Sequence, residues 1–316
     1  MVAHSRGILT FAFGAAEYLE MAKSLARSLM IHSPEIPRAI ITDAADDADL
    51  RRYFDVRVPV NMDFGSPLVQ KLFLDRYTPF SSTLFIDSDC LVVTDVDQMW
   101  RHFGALPFGI PGAVRLRRGD QDPLFDVDFI LDYFKLQEVS KFNSGMIYFD
   151  SSDVSKSIFR TARELQSRHL ELRFREGDQD EALLEVAMAI NGVQAFSDDG
   201  ETMLTPAGIH GHMALDVAQG VAAFKKYGVV RHPGIVHFAG PFSRTFEYRR
   251  ECYKLRSNYN ASLAQRVAII GLWFRARRAY TLTRLSVVRS RASLVKHQLT
   301  NMFRAVLRST PTAGAG

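Results

Sequence analysis

Only two cysteines, Cys90 and Cys252, occur in 316 residues, too few for the disulfide framework that holds small secreted domains together. No apolar stretch reaches the roughly 18 to 20 residues of a membrane-spanning helix. Met1 to Phe13 also lacks the basic, apolar, then small-residue order of a secretory leader. These absences point to a soluble chain in a reducing cytoplasm. Internal repeats are missing, which excludes a repeat architecture, and low complexity is confined to Thr310 to Gly316. The most pointed absence is of acid. From Cys252 to Gly316 there is no Asp or Glu against 12 Lys and Arg, so the other 27 basic residues face all 35 acidic ones in positions 1 to 251. The net charge of +4 therefore hides an acidic body and a strongly basic tail.

What is present reads as one α/β domain, residues 1–255, followed by a basic helical region, residues 256–316. A hydrophobic content of 47% with 23% charged residues is ordinary for a globular chain. Gly7 to Phe13 is a short apolar run, after which Leu19, Ala22, Leu25, Ala26 and Leu29 fall at helical spacing. Pro34 and Pro37 break that helix, and Arg38 to Thr42 reads as a second strand ending at Asp43. Such a βαβ opening predicts a parallel sheet. Further on, Val69 to Tyr77 and Asp180 to Ala189 read as helices, and Ser81 to Ile86, Phe142 to Phe149 and Gly234 to Phe238 as strands.

The chemistry is expected where a buried strand runs into Asp87-Ser88-Asp89. Asp-x-Asp alone says little, since it recurs at Asp47/Asp49, Asp95/Asp97, Asp126/Asp128 and Asp178/Asp180 among others. Asp87 and Asp89 differ in ending a run of buried-strand type, the edge where open α/β sheets bind ligands. A charged pair there costs free energy unless compensated, and a hard divalent cation shared with substrate phosphates compensates it; a turn pair capping the next element is the competing reading. His237 closes another short apolar run, as either a hydrogen-bonded core residue or an imidazole ligand suited to Mn2+. Gly240 would admit a phosphate close to the backbone. Asn143-Ser144-Gly145 offers an amide and a hydroxyl to sugar hydroxyls, or forms an ordinary turn. Asp178 or Asp180 fits the N-cap of the helix that follows.

Taken in order after the βαβ start, Phe85-Ile86-Asp87-Ser88-Asp89, Phe142-Asn143-Ser144-Gly145, Asp178-Gln179-Asp180 and His237-Phe238-Ala239-Gly240 resemble glycosyltransferase family 8. That group contains glycogenin and bacterial lipooligosaccharide galactosyltransferases, and the likeness covers residues 7 to 250. It implies a GT-A fold, a Rossmann-like mixed sheet flanked by helices. It also implies Mn2+, or Mg2+, held by Asp87, Asp89 and His237, and a nucleotide-diphosphate sugar, usually a UDP-sugar, whose hexose passes to an acceptor with retention of configuration. By the same likeness Asn143, Ser144 and Asp178 contact the donor sugar, with Gln179 under its reactive face. Phe11, Ala12, Phe13, Tyr18, Ser88, Lys71 and Gly240 line the nucleotide and its phosphates. Same-face attack by the acceptor hydroxyl, its proton passing to a donor phosphate oxygen, is the favoured mechanism, and double displacement through Asp178 is the alternative. Two stretches depart from the family. Phe13-Gly14-Ala15-Ala16 lacks the Asp that follows the first strand and helps read uracil, and Ser243 stands where a Lys closes over the diphosphate, leaving Arg244 as the neighbouring candidate.

In the tail, Leu263, Val267, Ile270 and Phe274 recur at a spacing of about 3.6 residues, as do Leu285, Val288, Ala292, Val295, Leu299, Met302 and Val306, with arginines between. Basic amphipathic helices of this kind lie on anionic membranes, where Trp273 and Phe274 would anchor. Peripheral attachment to the inner face of a membrane, near a lipid-linked or surface-glycan acceptor, is one expectation; packing on the acidic body or a dimer arm is the other. No nucleic-acid-binding module accompanies the charge, so nucleic acid is not an expected partner. Competing functions are a sugar nucleotidyltransferase, a non-catalytic glycan-binding protein, and a metal hydrolase using His210, His212 and His232. Pro107 to Lys135 is expected to shape the acceptor pocket.

Overall fold

The computed structural model describes residues 5–112, 114–177, 179–197, 200–257 and 262–278. Asp178, and the second apolar series from Leu285 to Val306, lie outside them. In chain order the strands and α-helices are β1 (Arg6–Phe11), α1 (Ala16–His32), β2 (Arg38–Thr42), β3 (Val56–Pro59), α2 (Leu74–Tyr77), β4 (Ser82–Ile86) and β5 (Cys90–Val92). They continue with α3 (Asp97–Phe103), β6 (Phe108–Gly109), β7 (Val114–Leu116), α4 (Val127–Phe134), β8 (Val139–Lys141), β9 (Met146–Asp150), α5 (Asp153–Ser167) and α6 (Asp180–Ile190). After these come β10 (Met203–Leu204), β11 (Ile209–Asp216), β12 (Val221–Lys226), β13 (Val229–Arg231), β14 (Ile235–His237) and α7 (Phe246–Ser257), then a helix over residues 263–278. Two compact units result. One holds the described residues up to Ala239 together with 251–257, and the other holds 240–250 and 262–278.

The centre of the first unit is a six-stranded sheet in the order β3-β2-β1-β4-β9-β6. β3, β2, β1 and β4 run parallel, and β9 turns antiparallel against β4. Strands buried on both faces need apolar residues at every position rather than at alternate ones, and these strands have them. Leu9, Phe85, Ile147 and Phe149 enter one core with α4, α5 and α6, whereas Ile8, Leu84, Ile86, Met146 and Tyr148 enter another with Leu25 and Leu29 of α1. Helix α1 follows from its apolar spacing, and Pro34 lies just beyond the Ser33 that ends it.

Because β1, β2 and β4 are parallel, their carboxyl ends open on one edge. Phe11, Asp43 and Asp87 therefore share that edge. A smaller sheet has the order β10-β14-β5, with β14 antiparallel to β5 so that His237 stands opposite Cys90. This pairing brings a histidine from late in the chain to the acidic turn after β4. Residues Phe142 to Gly145, expected to begin the ninth strand, instead form the turn before it, and β9 starts at Met146.

Candidate active site

Asp87 follows directly on β4, and its amide is held by Gly145 O at 2.9 Å, while the Cys90 amide donates back to Asp87 O at 3.0 Å. The Asp87 carboxylate accepts from Lys71 Nζ at 2.8 Å. Lys71 is almost fully buried, and its other donors reach Asp180 at 3.1 Å and Ser144 Oγ at 3.1 Å. An ammonium has three N–H groups, so Lys71 is fully engaged in positioning Asp87 and Asp180. Ser144 Oγ in turn donates to Asp180 at 2.6 Å.

His237 Nε2 lies 3.1 Å from Asp89 Oδ1 and 3.5 Å from Asp87 Oδ2. Its other ring nitrogen, Nδ1, lies 2.6 Å from Asn143 Oδ1. That oxygen also accepts the Gly145 amide at 3.1 Å, while Asn143 Nδ2 donates to Glu181 at 2.8 Å. Only this orientation of the amide satisfies all its neighbours, so Nδ1 carries the proton and Nε2 faces the carboxylates with its lone pair or a second proton. Burial pulls the His237 pKa down, but the hydrogen bond to Asp89 and the charges of Asp89 and Asp87 prevail and hold it above the usual imidazole range. Asp89 is penalised by burial yet ends below the ordinary carboxylate range because of the same bond. Burial raises Asp87 against the pull of Lys71.

The donor set suits a small divalent ion. Ligands about 2.1 Å from such an ion sit about 3 Å apart at right angles, close to the separations between His237 Nε2 and the two carboxylates. Asp87, Asp89 and Asp180 against Lys71 leave two uncompensated negative charges when His237 is neutral, which a divalent cation would balance. Among the described residues, one group of metal-ligating side chains converges within 4.8 Å, and it comprises Asp89, Cys90 and His237. Cys90 is a poor member. Burial and the neighbouring carboxylates push its thiol well up, and Sγ points at Gly145 O, 3.8 Å away, while Asp87 Oδ2 lies 3.5 Å from His237 Nε2. His212 and His232 are exposed and do not join any such group.

The other residues singled out in the sequence distribute as follows. Phe11 ends β1 with its ring 5.3 Å from that of Phe85, and Ala12 is buried beside β2. Phe13 is half-buried, Ser88 lies in the turn between Asp87 and Asp89, and Tyr18 is 46% exposed on α1. Gln179 occupies the N-cap position of α6 and donates to Glu176 at 2.6 Å. Gly240, at φ 57°, and Arg244 fall within a short 3-10 turn of the second unit. Asp180 does not cap α6, as the sequence suggested it could; it is the first helical residue, turned to Lys71 and Ser144. Asp47 and Asp126, by contrast, are capping side chains, accepting the amides of Asp49 and Phe129, and Asp95 accepts the amide of Asp97 in the turn before α3.

The roles of three residues escaped the sequence reading. Glu181 holds Asn143 and the Ser144 amide. Gly145 leaves space for His237, since a Cβ there would lie 2.2 Å from Nδ1. Asp43 accepts the amide of Gly14, which turns the chain at φ 83° between β1 and α1. Glu181 adjoins Asp180, and Gly145 was marked as part of the Asn143-Ser144-Gly145 turn; Asp43 had no signal beyond following β2.

No protein-family model matches the chain, and none of the curated protein sequences does. Solved structures share its fold. The galactosyltransferase LgtC in complex with donor and acceptor sugar analogues is similar with a TM-score of 0.54 at 14% identity, over 83% of this chain and 99% of that one. An active-site mutant of LgtC gives 0.54 at 16% identity, over 81% and 97%. The bifunctional glycosyltransferase WbbM gives 0.52 at 11% identity, over 86% of this chain and 52% of its own. The architecture is the GT-A glycosyltransferase fold, as the resemblance to family 8 implied.

Proposed function

We propose that the protein is a glycosyltransferase that moves a hexose from a nucleotide-diphosphate sugar, by preference a UDP-sugar, to a glycan or glycolipid acceptor with retention of configuration. The observation that carries this reading is that His237 Nε2 lies 3.1 Å from Asp89 and 3.5 Å from Asp87 at the carboxyl edge of the parallel strands in a GT-A fold. LgtC, similar over nearly its whole length, was solved with donor and acceptor sugar analogues. Mn2+, or Mg2+, is the proposed cofactor. Bound there, a divalent cation supplies Lewis-acid neutralisation of charge on a departing diphosphate.

The chain's own residues prepare that site. Lys71 fixes Asp87, Asn143 fixes the imidazole, and Glu181 fixes Asn143 in turn. Gln179 is assigned to the cation-like sugar and Asn143, Ser144 and Asp178 to its hydroxyls. Phe11, Ala12, Phe13, Tyr18 and Ser88 are assigned to the nucleotide, and Gly240 and Arg244 to its phosphates. The test is a panel of nucleotide sugars with and without Mn2+, read as thermal stabilisation of the wild-type chain. Stabilisation by a uridine sugar in the presence of Mn2+ supports the reading, and indifference to every nucleotide sugar rejects it.

We also propose peripheral attachment to an anionic membrane through the helix over 263–278. Leu263, Val267, Ile270 and Phe274 form an exposed apolar stripe there, beside Trp273 and four arginines. No helix among the described residues is long and apolar enough to cross a membrane.

A further inference from the structure

Asn143 also lines a cleft of about 500 Å3, together with Phe142, Thr205, Lys226, Tyr227 and Arg231. Its charge is one-sided. Among the described residues none of its lining is acidic, and neither Lys226 nor Arg231 has a carboxylate partner there. Lys226 is half-buried and donates only to neutral oxygens, Thr205 O at 3.1 Å and Thr205 Oγ1 at 3.3 Å. Burial, with nothing opposing it, lowers its pKa. An ammonium kept from water without a counter-ion is unfavourable, so the arrangement is completed by an anion.

The two cations share a face. Arg231 on β13 stands opposite Phe224 on β12, and Lys226 lies two residues along β12 from Phe224, so both side chains project from the same side of the hairpin. The turn between these strands carries Tyr227 at φ 48°, a conformation uncommon for a bulky residue. Gly208 makes room for its ring, which a Cβ there would meet at 2.8 Å, and Tyr227 is nonetheless 76% exposed. Its ring lies 5.7 Å from Lys226 Nζ, and an exposed aromatic face with a polar tip suits a ligand that is partly apolar and partly hydroxylated.

We propose that this cleft is the acceptor site and that it selects a sugar bearing an anionic substituent, a carboxylate or a phosphate. Lys226 and Arg231 serve as counter-ions and Tyr227 packs against the sugar ring. This acceptor role rests on the glycosyl-transfer reading above, through Asn143, which lines the cleft and holds His237.

The experiment measures binding of methyl glucuronide, glucose 6-phosphate and methyl glucoside to the full chain by calorimetry or ligand-observed NMR. At least one charged sugar should bind roughly tenfold or more tightly than methyl glucoside, as expected for hydrogen bonds to charged groups, and which one binds identifies the substituent. The preference should fall in K226Q and in R231Q and persist in K226R. Equal binding of all three sugars, no binding of either charged one, or a preference that survives the K226Q/R231Q double variant overturns the proposal. Binding of UDP-glucose with Mn2+ to the same wild-type sample is scored separately, so a failed donor reading is distinguishable from a failed cleft.

Discussion

The imidazole of His237 donates from Nδ1 to Asn143 Oδ1 at 2.6 Å, which turns Nε2 towards Asp89 and Asp87. A ligand imidazole held by such a partner loses affinity for metal when the partner is removed. N143A should therefore weaken Mn2+ binding by about 10- to 100-fold, measured by calorimetry. Unchanged affinity would mean that the tautomer of His237 is set elsewhere.

Gly145 gives a steric version of the same test. Its φ is not in the left-handed region, so alanine adds no backbone strain, but the new Cβ would meet His237 Nδ1 at 2.2 Å. G145A is expected to displace the ring, abolishing stabilisation by Mn2+ while far-UV circular dichroism stays that of the wild type. Retained stabilisation by Mn2+ would contradict the placement of His237.

The acidic turn after β4 was legible before the structure because the apolar residues Leu84 to Ile86 lead straight into Asp87, and both faces of β4 prove buried. The partner His237 was legible as a residue but not as a neighbour, since its placement depends on β14 pairing with β5 across some 145 positions of sequence. Asp178 and Asp180 were both cap candidates because a carboxylate at a helix start satisfies local capping rules; the approach of Lys71 gives Asp180 another partner, and Asp178 lies outside the described residues. The cleft beside Asn143 left no trace in sequence, because Lys226 and Arg231 look like ordinary hairpin charges until their lack of acidic neighbours is seen in space.

Glu185, which accepts the Phe142 amide at 3.1 Å, provides a pH test. It is fully buried on α6 beside Lys141, which also pairs with Asp122, and burial pushes its carboxyl up to about 8. Between the ordinary value of 4.5 and about 8 the folded protein holds a proton that the unfolded chain releases, so this group's contribution to stability declines as pH rises. Thermal unfolding of E185Q should gain on the wild type steadily between about pH 5 and pH 8. A difference independent of pH would contradict the buried, protonated state.

For the exposed stripe on 263–278, the W273A/F274A double variant should lose most co-sedimentation with anionic vesicles, and neutral vesicles should bind neither protein. Equal co-sedimentation of the variant and the wild type would rule out this helix as the contact.

The most direct test of the central claim is Mn2+-dependent hydrolysis of a nucleotide-sugar panel by the wild type and by D89N. The wild type should cleave at least one nucleotide sugar in Mn2+ and lose that activity to a chelator, and D89N should be slower by about a hundredfold or more. Wild-type rates in D89N, or hydrolysis indifferent to the chelator, would contradict a divalent cation held by Asp87, Asp89 and His237.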